Sequence, residues 1–90
     1  MVNENYMKGL INSNDFIVRC AALSYFNESY SRDSEVIDRV IDAVRKYDDS
    51  FERNYLMANC ENLNVNETQI NKLMSLDYGE DIYFKNNIVT

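Results

Sequence analysis

The chain has 90 residues, 46% hydrophobic, 12% aromatic and 27% charged, with no proline, no histidine and only two glycines. That is too apolar for a disordered chain despite thirteen asparagines, and too poor in turn residues for an all-β fold, so one small helical domain spanning 1–90 is expected. A formal charge of −6 disfavours general affinity for nucleic acid, which needs a basic surface to displace counterions, and suits a basic protein partner.

In chain order, residues 6–11 read as a short helix weakened by Gly9. Asn3, Glu4, Asn5 and Lys8 interrupt any apolar run there, and no stretch approaches the roughly 20 apolar residues of a membrane span. The expected location is the cytoplasm, with no membrane segment. Residues 16–26, FIVRCAALSYF, are apolar at nine of eleven positions, too long a run for a typical strand. A helix apolar nearly all round must be covered on several sides.

Residues 34–47 alternate differently. Val36, Ile37, Val40, Ile41 and Val44 make one stripe at helical spacing, while Glu35, Asp38, Arg39, Asp42, Arg45 and Lys46 take the other face. Ser34 is the expected N-cap, and Glu35–Arg39 and Asp42–Lys46 have the spacing of i,i+4 ion pairs. A polar turn, Asp48-Asp49-Ser50, opens a further helix over 51–63. Asn66 and Gln69 have the spacing of a capping box, and Ile70, Leu73, Met74 and Leu76 line the short helix that follows, which ends near Gly79. The order is five helices, with a sixth expected from Asp81 at the C-terminus.

One pattern recurs. Asp15-Phe-Ile-Val-Arg19, Asp49-Ser-Phe-Glu-Arg53 and Asp81-Ile-Tyr-Phe-Lys85 each place an acid four residues before a base, 34 and then 32 positions apart. The aspartate caps the following helix, the base lies one turn on, and in a stack of such units the base also nears the acid of the next unit. Asp15, Arg19, Asp49, Arg53, Asp81 and Lys85 are therefore structural repeat positions. Helix pairs that open on Asp and Arg four apart, with an Ala-rich apolar run as in VRCAALSYF, resemble HEAT-like repeats of the short bacterial type; Asp15, Val18, Arg19, Ala21, Ala22 and Leu23 carry the match. The second unit departs from it, with Glu52 where the first has Val18. The resemblance covers 14–78 well and 79–90 in part. It implies an α-α superhelix, a right-handed solenoid of helical hairpins with second helices on the inner face. The helix from Asp81 is expected either to be short and cap the stack or, as its early stop without a closing polar face favours, to leave the 90 residues as the front of a longer solenoid.

Chemistry finds little support. Without histidine no Ser–His or Cys–His pair exists. Cys20 and Cys60 lie in apolar or near-apolar helical stretches without CxxC spacing, which indicates buried reduced thiols. Asp38 and Asp42 are one turn apart, but Arg39, Arg45 and Lys46 flank them, as in a solvated salt-bridged face. No catalytic residue, metal or cofactor is expected. Tyr30 and Tyr47, near helix ends, are expected to be exposed to a partner. The function expected is a non-catalytic protein-binding module or scaffold, taking its partner on Glu35, Asp38, Arg39, Asp42, Arg45 and Lys72. A sharper form is an acidic immunity- or antitoxin-type inhibitor of a basic toxin. A further alternative is the N-terminal part of a HEAT-like enzyme or DNA-acting protein whose active groups lie beyond Thr90.

Overall fold

The computed structural model describes residues 3–47 and 49–75. Five helices follow in order, α1 (Glu4–Leu10), α2 (Phe16–Glu28), α3 (Glu35–Lys46), α4 (Ser50–Ala58) and α5 (Glu67–Ser75), with no strand among the described residues. The expected sixth helix, with Asp81 and Lys85, lies outside them, as does Leu76.

Local chemistry explains each boundary. Asp15 Oδ1 accepts from the backbone N–H of Ile17 at 2.8 Å and of Val18 at 3.3 Å, opening α2, and Asp49 Oδ1 accepts from Glu52 N–H at 3.0 Å, opening α4. At α3 the capping side chain is Asp33, which accepts from Glu35 N–H at 3.0 Å. Ser34 makes no such bond because its own backbone is already helical, at φ −65° and ψ −18°. At α5 the capping box closes in both directions: Gln69 N–H donates to Asn66 Oδ1 at 2.8 Å, and Asn66 N–H to Gln69 Oε1 at 3.0 Å.

Two helix ends depart from simple expectation. α2 closes in a Schellman motif, Ser31 N–H donating to Phe26 O and Tyr30 N–H to Asn27 O, which puts Tyr30 at φ 52° in the left-handed position glycine usually fills. α4 stops at Ala58, short of residue 63. Asn59 Nδ2 donates to the Tyr55 carbonyl at 2.8 Å, and tight turns follow, with Cys60 N–H donating to Met57 O and Leu63 N–H to Cys60 O. Asparagine side chains compete with the helical backbone in this way.

The helices sort into two layers. α1 lies beside α3 and α3 beside α5; α2 lies beside α4; α3 touches all four others. The shortest extent of the molecule is 17 Å against 37 and 29 Å, as expected of two helix layers about 10 Å apart. Val36, Ile37, Val40, Ile41, Ala43 and Val44 of α3 are all buried, against Ala22, Leu23 and Phe26 of α2 and Leu56, Met57, Leu63, Val65 and Leu73 beyond. Burying each larger aliphatic side chain contributes about 1.5–3 kcal/mol relative to leaving it in water, so α3 is the element that organises the core. Both cysteines are free, Cys60 buried and Cys20 half-buried; partial burial pushes the Cys20 thiol above its ordinary range.

Polar bonds close the seams between the two helical pairs. Asn62 N–H donates to Asn27 Oδ1 at 2.9 Å and Asn62 Nδ2 to Asn27 O at 3.2 Å. Gln69 Nε2 donates to Ser34 O at 2.7 Å and to Asp38 Oδ1 at 3.1 Å. These bonds span 31 to 35 residues of sequence.

Candidate functional site

The repeat aspartates and arginines do different work from one another. Asp15 and Asp49 cap. Arg19 does not turn back to Asp15: its Nη1 donates to Ser13 O at 2.7 Å and its Nη2 to Glu52 Oε2 at 2.8 Å, on the neighbouring α4. The residue is 1% exposed, and its guanidinium carbon stands 3.9 Å from the Tyr47 ring centroid and 5.5 Å from that of Phe16. Arg19 of α2 thus reaches α4, where it meets Glu52 rather than the capping Asp49. Glu52 is the position where the second unit departs from the first, so the departure supplies the anion that the buried arginine needs. Arg53 is half-buried on α4.

Glu35, Asp38, Arg39, Asp42, Arg45 and Lys46 are all exposed and fall within about one third of the α3 circumference at 100° per residue. The neighbours of this strip are α1 and α5. Among the described residues neither anticipated i,i+4 ion pair forms, and Glu35 and Arg39 meet tertiary partners instead. Lys8 of α1 donates to Glu35 Oε2 at 2.7 Å and to Asp33 Oδ2 at 2.6 Å. Asn12 Nδ2 donates to Arg39 O at 2.9 Å, and Arg39 Nη1 lies 3.4 Å from Asn12 Oδ1. Asp38 receives Gln69, and Lys46 lies over the Tyr47 ring at 5.3 Å. The hydrogen bond to Asp33, then that to Glu35, raises the Lys8 pKa; the bond from Lys8, then that from Glu35 N–H, lowers the Asp33 pKa. Asp42, Arg45 and, on α5, Lys72 are exposed. The six exposed charges of α3 thus share one side of the helix and are balanced in sign, with acids mostly toward its N-terminus and bases toward its C-terminus, while Lys72 lies on the neighbouring α5.

On the opposite layer the outer side of α2 is open. Ile17 of α2 is 76% exposed, and Phe51 and Tyr55 of α4 are exposed as well; Phe16 stands 6.4 Å from Phe51 and 5.7 Å, edge-on, from Tyr55 between centroids. The apolar run of 16–26 gave no sign of this, because a two-layer arrangement leaves the outer side of α2 uncovered. The exposed position of Tyr30, at 67%, agrees with expectation. Tyr47 does not: it is half-buried against Arg19, and its hydroxyl lies 3.4 Å from Asn14 Oδ1. Met74, expected inside α5, is exposed.

Among the described residues no group of three or more His, Cys, Asp or Glu side chains is placed to hold a metal ion, and no helix is long and apolar enough to cross a membrane. The chain matches no family model, no curated protein and no solved structure.

Proposed function

We propose that the chain is a non-catalytic protein-binding module, a short right-handed solenoid of HEAT-like hairpins that takes its partner on the exposed strip of α3. The observation that carries this reading is the strip itself: six charged side chains gathered on one side of the central helix while its other side fills the core. Two further features support the solenoid. First helices with equivalent aspartate caps lie side by side, and so do the second helices. Polar bonds recur at separations of 33 to 35 residues, Arg19 to Glu52, Asn62 to Asn27 and Gln69 to Ser34.

The net charge of −6 supports a narrower second reading, an acidic immunity- or antitoxin-type inhibitor of a basic toxin. The balanced signs on α3 require such a toxin to present acids as well as bases at the contact.

The experiment is quantitative affinity capture from native extract, comparing the wild-type chain with R45E/K46E. A protein retained in stoichiometric amount by the wild type and lost with the variant is the expected result. Equal capture by both chains moves binding off α3, and retention of duplex nucleic acid that falls steeply with salt overturns the reading altogether.

A further inference from the structure

The exposed charges of α3 follow the order Glu35, Asp38, Arg39, Asp42, Arg45, Lys46. Their signs are minus, minus, plus, minus, plus, plus. Read from the other end with every sign inverted, the string is the same. A strip with this property is complementary to itself when two copies meet face to face in opposite directions. Glu35 then falls opposite Lys46 of the second copy, Asp38 near Arg45, and Arg39 opposite Asp42, and a twofold axis repeats each pair.

The helix dipole accounts for the outer charges, since acids are favoured at the start and bases at the end. It does not account for the inner two, where base precedes acid. Arg39 and Asp42 have the spacing of an intrahelical pair, yet among the described residues no ion pair joins them, and Arg39 turns toward Asn12. Both therefore present charge outward at the centre of the strip.

We propose that the α3 strip binds a second copy of this chain, antiparallel, in an isologous dimer. The proposal rests on the reading of α3 as the binding surface and names its occupant. The two larger extents of the molecule, 37 and 29 Å, leave room for an interface of about 800 Å² per partner. The strip carries no large apolar side chain, so charge governs the association and salt controls it. The screening length falls from about 10 Å in 0.1 M salt to about 3 Å in 1 M.

The test is sedimentation equilibrium of the full chain at rising concentration, in low and in high salt. Self-association is expected in low salt, weakened about tenfold or more in 1 M salt. R45E/K46E and E35K/D38K are each expected to remain monomeric, because each leaves like charges opposed. Their equimolar mixture is expected to associate again, because every facing pair is once more of opposite sign. Circular dichroism shows whether each variant is folded. Glu35 and Asp38 bond to Lys8 and Gln69, so if E35K/D38K fails to fold, R45E/K46E alone decides. A wild-type chain monomeric at every concentration in low salt overturns the dimer. So does a dimer that persists in high salt or in R45E/K46E, an outcome that moves the contact to Ile17, Phe51 and Tyr55. A monomer that still captures a different protein through α3 overturns only this inference; capture indifferent to R45E/K46E overturns the broader reading instead.

Discussion

Arg19 Nη2 and Glu52 Oε2 lie 2.8 Å apart across the seam between α2 and α4, and the arginine is the buried partner of the two. Removing it leaves a void between the Phe16 and Tyr47 rings and strips Ser13 O and Glu52 of their donors. Arg19→Ala is expected to destabilise the fold by about 3 kcal/mol, the lower end for a buried pair because Glu52 retains some contact with water. Arg19→Lys loses part of this, since a single ammonium cannot hold both oxygens and lie flat on a ring. Glu52→Gln costs about 1 kcal/mol. Urea unfolding followed by circular dichroism measures all three, and a change at Glu52 made on top of Arg19→Ala should add little.

The two aspartate caps are equivalent in geometry. Asp15→Ala and Asp49→Ala are each expected to cost about 1 kcal/mol, while the asparagine variants stay near the wild type. An alanine variant that leaves the melting temperature unchanged would remove that aspartate from the repeat framework.

Tyr30 holds a left-handed backbone at φ 52° with its side chain largely in water. Relief of roughly 1–2 kcal/mol of steric cost, less the entropy lost in ordering glycine, gives Tyr30→Gly a net gain of about 0.5–1 kcal/mol. Thermal melts read the stability, and the capture assay reads whether that gain comes at the expense of binding.

Gly9 lies inside α1, and a Cβ built there meets nothing within 4 Å. Gly9→Ala is therefore expected to stabilise the protein by about 0.5–1 kcal/mol. A loss of stability in the same urea titration would show that the α1 backbone at this point is not helical in solution.

The Lys8–Asp33 contact sets a pH window. Asp33 titrates below its ordinary value of 3.8, so its contribution is present above that value and is lost as pH falls through the depressed one. Lys8 titrates above 10.5, so its contribution is present below that value and is lost as pH rises through the raised one. The stability difference between the wild type and Asp33→Asn should be flat from about pH 5 to 9 and shrink as pH falls from 3.8 through the depressed value. Urea midpoints across pH test this, and a difference indifferent to acid would sink it.

Much of the helical layout was legible from short-range rules. The α3 stripe, the Asp15 and Asp49 caps and the Asn66–Gln69 box each depend on residues within a turn of one another, and each is found as read. What escaped depends on distant partners. Lys8 draws Glu35 away from Arg39, Arg19 selects Glu52 over an aspartate, and Asn27 with Asn62 joins turns that no periodicity connects. The exposure of Ile17 and Phe51 follows from the number of layers, which an apolar run does not encode. Glu52 stands in the sequence where the first unit has valine, and a nearly all-apolar helix carrying one arginine is the signal that this departure has a partner.

The join made by Arg19 also limits how this chain can grow. Glu52 occupies the slot that Val18 fills one unit earlier, so a segment duplicated from residues 15–48 would set a valine against a guanidinium shut away from solvent. Lengthening by simple copying of that segment would thus leave an orphaned cation at the new junction.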